Sequence, residues 1–216
     1  MIGSPRSSAV RRSLPSRLAL MTSGAAVLAA AGITAASGTA SADTTVNVHY
    51  AVTGTTFIAK LNTTANLGSG TLASAVDLTA GTSESTLTLP PATVSVKEFG
   101  FIPVTATTEI IQNGTAAGTV NFTANTITST ANVTLKISSL TVAGISLPVG
   151  NECQTTPFNI GIRSGSGFTV SAGGPVNGTY TIPAFHHCGL NTLLLNLTIP
   201  GSGNTLNLTL GPLQLG

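Results

Sequence analysis

The chain has 216 residues, of which only 6% are charged, and its formal net charge is +2. Disordered chains usually combine low hydrophobicity with high net charge. Here 42% of the residues are hydrophobic and the charge is close to zero, so we expect the chain to fold. The excess of basic over acidic residues comes from four arginines within the first 17 residues. The rest of the chain has no excess of positive charge, and its binding partners are considered on that basis.

The N-terminal segment has the pattern of a secretory signal peptide. Four arginines accompany an apolar run over residues 18–36, and Ala40-Ser41-Ala42 then offers an A-x-A cleavage site. We therefore predict that residues 1–42 are a signal peptide, cleaved between Ala42 and Asp43. The pair Arg11-Arg12 loosely resembles a twin-arginine signal, and the choice between that route and general secretion stays open.

A membrane anchor is the alternative reading of the same apolar run, which is almost long enough to cross a bilayer. Thr22, Ser23 and Gly24 dilute it, and the cleavage pattern follows directly. We expect no transmembrane anchor in the mature chain. Cleavage leaves four basic against six acidic residues, a net charge of −2, so no basic surface remains and we predict no nucleic-acid partner.

Cys153 and Cys188 are the only two cysteines in the chain. In an exported protein such an isolated pair most simply forms a disulfide, with two free thiols as the alternative. Closing this loop of about 36 residues would stabilise the fold by on the order of 3–4 kcal/mol on the chain-entropy model.

Alternation of apolar and polar residues dominates the chain after Asp43 and indicates β-strands. Val46, Val48, Tyr50 and Val52 show it first. The same pattern predicts strands around Leu87 and Val94, on either side of Pro90-Pro91, and over residues 104–111, 119–124, 133–142, 158–162, 168–171, 179–182, 193–199 and 205–210. Asn113-Gly114 is predicted to be a hairpin tip, since this pair tolerates the positive φ angles of a type I′ turn.

Many short strands separated by turn residues are typical of a sandwich or barrel. We predict an all-β fold, an antiparallel β-sandwich of about ten to twelve strands, with an immunoglobulin-like arrangement as one form. No stretch after residue 43 sustains an apolar period of 3.6 residues, so no helix is predicted there. Residues 43–216 are predicted to form one domain, with a boundary near residue 150 as the alternative.

The sharpest cluster of potential metal ligands is His186-His187-Cys188. Neighbouring residues of a strand point to opposite faces, so the two imidazoles are not expected to share one ion. A disulfide would also remove the thiolate, and the distant His49 would have to complete any site. We assign no metal-binding or cofactor-binding residue and predict no cofactor.

Catalysis by paired carboxylates needs two Asp or Glu side chains in one cleft. The few carboxylates are scattered in sequence, and Glu98, just before Phe99-Gly100-Phe101, and Glu109 are the candidates. Gly165-Ser166-Gly167 lacks the pattern of a nucleophile elbow. We assign no catalytic residue and expect a protein that is not an enzyme, with a secreted carboxylate-dependent hydrolase as the alternative.

Pairs of threonines at alternate positions offer rows of hydroxyl groups that suit ice or a polysaccharide. Their spacing along the chain is irregular, and solvent-facing strands often carry such residues. The chain has no Trp, and its only tyrosines are Tyr50 and Tyr180, which weakens a carbohydrate-binding interpretation. The pairs are Thr53/Thr55, Thr86/Thr88, Thr105/Thr107, Thr126/Thr128 and Thr179/Thr181.

A family resemblance is carried by the leader and the single cysteine pair, together with three short segments. These are Gly54-Thr55-Thr56, Leu89-Pro90-Pro91-Ala92-Thr93 and Gly189-Leu190-Asn191-Thr192. The chain resembles uncharacterised small secreted β-rich proteins of actinobacteria, which have no assigned activity. The resemblance spans most of the mature chain, implies export from a Gram-positive cell and carries no functional residues.

The leading prediction is therefore a secreted, non-enzymatic protein of the cell exterior or cell envelope that acts by surface interaction or adhesion. Its expected partner is a cell-wall or extracellular polysaccharide or a protein. An envelope β-barrel is a further alternative beside the hydrolase, since alternating segments can line a pore.

Overall fold

Fourteen strands and one short helix make up the part of the chain that the computed structural model describes, residues 44–98 and 100–216. The strands are β1 (Thr45–Ile58), β2 (Thr63–Asp77), β3 (Thr82–Thr88), β4 (Ala92–Glu98), β5 (Ile102–Gln112), β6 (Ala116–Asn121), β7 (Thr126–Val142), β8 (Ile145–Leu147), β9 (Gln154–Thr155), β10 (Phe158–Ser164), β11 (Gly174–Ile182), β12 (Phe185–His186), β13 (Gly201–Leu210) and β14 (Gln214–Leu215). The helix α1 is Thr192–Thr198. The predicted signal peptide and its cleavage site at Ala42 and Asp43 lie outside the described residues.

Eight of the strands close into a barrel in the order β1, β2, β3, β6, β7, β10, β11, β13 and back to β1. The predicted all-β antiparallel fold is confirmed, but the sandwich, with its immunoglobulin-like form, is wrong. The sheets of a sandwich are not closed, whereas here β7 and β10 pair from Phe158↔Val133 to Arg163↔Thr128 and complete the ring. Closure removes free edges from the barrel itself, which suits a chain with few lysines to protect them, while β4 pairs only with β5 and keeps one free edge.

The interior of the barrel is apolar because successive side chains of each strand alternate between its two faces. On β1, Val48, Tyr50 and Val52 are buried inside while Asn47 and His49 are exposed outside. The buried side chains of the other strands join them in one hydrophobic cluster. Within the described residues, no helix has the length and apolar character needed to cross a membrane.

The outer face of the barrel is polar but carries few charges. Side-chain amides form a ladder across β10, β7 and the link between β5 and β6, in which Asn113 donates to Asn132 over 3.0 Å and Asn132 donates to Asn159 over 2.8 Å. The hydroxyls of Thr119 and Thr128 are bonded in the same way over 2.8 Å. Water contact is thus provided by amides and hydroxyls.

The strand β7 has 17 residues and continues beyond the barrel within the same sheet. Its first half pairs with β6 and β10, and its second half pairs with β5 on one side and with β8 and β9 on the other. The strand β4 pairs with β5 and completes a two-stranded hairpin. This β4–β5 hairpin therefore projects beyond the end of the barrel.

The predicted hairpin tip at Asn113-Gly114 is wrong. Both β5 and β6 run antiparallel to β7 along the same edge, so the chain continues through these residues instead of reversing. Gly114 has φ of +77°, which suits an irregular link between two strand segments. The Gln112 side chain fills the gap beside β3, accepting from the Leu87 amide over 2.9 Å and donating to the Ser85 carbonyl over 2.8 Å.

The predicted disulfide between Cys153 and Cys188 is confirmed, with the two Cα atoms 4.3 Å apart. Both cysteines are fully buried in a second hydrophobic cluster, outside the barrel interior, together with Ile137, Phe185 and Leu195. The bond joins the segment before β9 to the segment that follows β12, and so holds the start of α1 near the second half of β7.

Residues 193–199, predicted as a strand, form the helix α1 instead. Consecutive leucines break the two-residue alternation, and the Thr192 hydroxyl fixes the preceding turn by donating to the Gly189 carbonyl over 2.9 Å. The Asn196 amide then binds the Phe185 backbone twice, at 2.7 and 2.9 Å. The strand predicted at 168–171 is also wrong, because the Thr169–Gly173 bridge closes a tight turn there.

Candidate functional site

The candidate functional site is an apolar groove between the β4–β5 hairpin, the helix α1 and one end of the barrel. Its volume is about 280 Å³. The barrel end contributes residues of β1, β2 and β11, and the second half of β7 forms part of the wall. We refer to this cavity as the groove.

One wall of the groove is the inner face of the β4–β5 hairpin. Alternation places the polar side chains on the other face, where Thr93 lies 3.2 Å from Thr107 and Ser95 lies 3.0 Å from Thr105, measured between hydroxyl oxygens. The side chains facing the groove are apolar without exception along the paired segment 92–96 and 102–106: Ala92, Val94, Val96, Ile102, Val104 and Ala106.

The opposite wall is the helix α1. Leu195 is buried beneath it, while Leu194 and Leu197 line the groove and remain 42% and 65% exposed. These two side chains form the rim, because they face the groove and water together. Leu190 and Leu193 are 100% and 71% exposed but do not line the groove.

The floor of the groove contains its main polar contact. The Thr56 hydroxyl donates to the Thr205 carbonyl over 2.9 Å, so it must accept its second bond from the Tyr180 hydroxyl, at 2.5 Å. Phe158 stacks on the Tyr180 ring with the centroids 6.0 Å apart. Both hydroxyls are thus used within the protein.

No charged side chain lines the groove in the described part of the chain. Every buried side-chain nitrogen and oxygen of the described residues has a hydrogen-bond partner. The groove therefore offers a ligand apolar surface without a counter-ion. Such a surface favours an uncharged, apolar molecule, because burying an unpaired charge there would cost free energy.

The histidines singled out by the sequence lie away from this groove. His186 and His187 are exposed, and their ring centroids are 6.5 Å apart. Cys188 is held in the disulfide. Among residues 44–98 and 100–216, no three His, Cys, Asp or Glu side chains form a group that could hold a metal ion.

Glu109 and Asp77 also lie away from the groove. Thr108 and Ile110 line the groove, so Glu109 between them points to the other face, where it lies opposite Lys136 in the β5–β7 ladder. Asp77 accepts hydrogen bonds from the backbone amides of the turn after β2. The side chain of Glu98 lies outside the described residues.

Most residues of the groove were predicted to lie on strands, but none of them was predicted to line a binding site. Their alternation indicates which side chains share a face, but not that this face meets a void. The run of leucines in α1 was the one local sign of a site, because this helix has more apolar residues than one buried face requires.

Two buried tyrosines give the fold a dependence on alkaline pH. Burial raises the pKa of Tyr50 and of Tyr180 above the usual value of about 10, although the Thr56 hydrogen bond opposes the rise at Tyr180. The neutral phenols therefore stabilise the fold fully below about pH 10, and this contribution is lost as the pH rises through the raised pKa values. We expect the melting temperature of the wild type to fall more steeply above pH 10 than that of Y50F/Y180F. Parallel curves would contradict this assignment.

No family model, curated protein or solved structure matches the chain. Function is therefore inferred from the geometry and chemistry of the groove.

Proposed function

We propose that the protein is a secreted, non-enzymatic binding protein that takes an uncharged, apolar small molecule into the groove. The observation that carries the proposal is a cavity of about 280 Å³ whose lining, among the residues with described side chains, contains no charged group. Ligand sites are typically concave and mostly apolar, and eight-stranded barrels are wide enough to hold one small ligand. This proposal replaces the predicted polysaccharide or protein partner with a small apolar molecule.

The exposed rim favours a groove that binds a ligand over a cavity that is only a packing defect. Protein interiors are close-packed and leave few voids larger than a water molecule. The groove exceeds this size, and Leu194 and Leu197 stand at its mouth partly in water. An apolar ligand would cover these leucines and remove the groove's surface from water, which is favourable by about 25 cal/mol per Å².

The polarity of the barrel supports a water-facing exterior over an envelope pore. Membrane barrels place apolar residues outward and polar residues inward. Here Asn47, Asn177 and Asn207 are exposed on the outer face, while Val48 and Val176 are buried inside. Secretion is supported by the leader pattern and by the disulfide, since disulfides persist in oxidising surroundings.

A neutral fluorescent dye tests the proposal. N-phenyl-1-naphthylamine, which brightens in apolar surroundings, should bind the purified protein. L194K/L197K should weaken binding by at least about tenfold, because burying each leucine contributes about 1.5–3 kcal/mol. The matched control is L190K/L193K, which adds the same two charges to α1 and the turn that precedes it, outside the groove.

Two results would overturn the proposal. One is a wild-type protein that does not bind the dye. The other is an equal loss of affinity in L190K/L193K and in L194K/L197K, with circular dichroism showing both variants folded, since binding would then not depend on the groove.

A further inference from the structure

A second cavity of about 280 Å³ lies inside the barrel, at the end remote from α1. Val46, Val48, Leu208 and Leu210 are among its lining residues. Its own rim is exposed and apolar, and consists of Leu78, Phe122 and Leu215. We refer to this cavity as the lumen.

A third cavity, of about 40 Å³, shares lining residues with both of the others, and we refer to it as the waist. It shares Thr56, Ile110, Leu135 and Tyr180 with the groove. With the lumen it shares a different set: Leu87, Gln112, Ala131 and Ile162. Because the same side chains border successive cavities, the groove, this waist and the lumen follow one another along the barrel.

We propose that the groove, waist and lumen form one conduit that takes a single elongated, uncharged hydrocarbon chain, such as an acyl or polyprenyl chain. This inference rests on the proposed function and extends it to the shape of the ligand. Two sections of about 280 Å³ joined by one of about 40 Å³ suit a molecule that is thin throughout. A compact ring system would fill one section and leave the other empty.

The polar residues along the conduit are already paired, which determines the chemistry of the chain. In the lumen the Ser74 and Ser85 hydroxyls lie 2.6 Å apart, and at the waist the Gln112 amide is bonded to the β3 backbone. A polar group inside the conduit would find few free partners, because each buried side-chain nitrogen and oxygen of the described residues is already hydrogen-bonded. The ligand's interior section is therefore hydrocarbon, and any polar end group stays at an exposed rim.

The waist can be closed by one substitution. Ala131 borders the waist and the lumen but not the groove, and it is buried. A phenylalanine in its place would fill the narrow section while leaving the groove's lining unchanged. Thr130, the next residue of β7, faces outward and is exposed, so T130F is the matched control.

The test is a chain-length series. Uncharged 1-monoacylglycerols with acyl chains of about 8 to about 16 carbons would displace the dye from the wild type, from A131F and from T130F. Affinity for the wild type should rise about three- to fourfold per methylene over the whole series. In A131F the rise should stop at a shorter chain, with the shortest members binding as in the wild type, and T130F should follow the wild type.

The possible failures are distinguishable. If no monoacylglycerol and no dye binds, the proposed function fails as well. If short chains bind but the wild-type affinity stops rising early, the groove binds a ligand and the conduit is wrong. Equal chain-length dependence in A131F and the wild type would also refute the conduit, and if A131F does not fold, the wild-type series alone decides. Tighter binding of fatty acid carboxylates would refute an uncharged ligand.

Discussion

Replacing Cys153 and Cys188 together with serine should lower the free energy of unfolding by about 3–4 kcal/mol, because the unfolded chain gains the entropy that the crosslinked loop denies it. The sequence separation of the cysteines is 35 residues, and both are fully buried beside Ile137 and Phe185. Two serines in this apolar cluster would bury hydroxyl groups as well, which adds to the loss. Urea unfolding monitored by circular dichroism measures the change.

The same substitution should also weaken dye binding, which connects stability with the groove. Cys188 immediately precedes the turn that leads into α1, and α1 is one wall of the groove. Reduction of the wild type with dithiothreitol should reproduce the effect of the double serine variant, which should itself not respond to dithiothreitol. A change in unfolding free energy below about 1 kcal/mol in both experiments would contradict a stabilising role for the bond.

Replacing Asn204 with alanine should lower the free energy of unfolding by roughly 3 kcal/mol, since it leaves several buried polar groups unpaired. The Asn204 side chain is buried and makes three hydrogen bonds. Its oxygen accepts from the Ala59 amide over 3.0 Å, and its nitrogen donates to the carbonyls of Tyr180 and Gly201 over 3.2 and 2.7 Å. It thereby fastens the β1–β2 turn to β11 and β13.

Two further variants sharpen this test. N207A lies on the same strand but on the exposed outer face, and it should change the unfolding free energy by less than about 0.5 kcal/mol. N204D keeps the acceptor but turns the donor into an oxygen facing two carbonyls, so it should be at least as destabilising as N204A. Equal, small effects in all three variants would show that the buried amide is not a structural anchor.

The strands were largely predictable, whereas their closure into a barrel was not. Alternation in Val46, Val48, Tyr50 and Val52 correctly identified which side chains of β1 face inward. Closure depends on pairs such as Phe158↔Val133, which are set by the whole set of strands and leave no local pattern. The first half of β7 was not predicted for another reason. Its inward residues include Ser129 and Ala131, which are too small or too polar to give a clear alternation with the outward threonines.

The groove was less predictable than the strands. Val94, Val96 and Val104 were placed correctly on β-structure, but their common apolar face suggested a packed core. This face borders a cavity for two reasons. The strand β5 pairs with β7 beyond the end of the barrel, and the opposite wall is the helix α1, whose leucines were predicted to form a strand. The disulfide was predictable because it needed only the two cysteines and the expected compartment.

The amide ladder of Asn113, Asn132 and Asn159 has a consequence for the surroundings in which the protein can work. Side-chain amides remain uncharged at any ordinary pH, and interactions among neutral groups are hardly screened by dissolved ions. With such a surface, electrostatic attraction contributes little to the association rate, so this rate changes little as ionic strength rises. Hydration of the molecule and the rate at which it meets an uncharged ligand are therefore expected to be similar in dilute buffer and in concentrated salt solution.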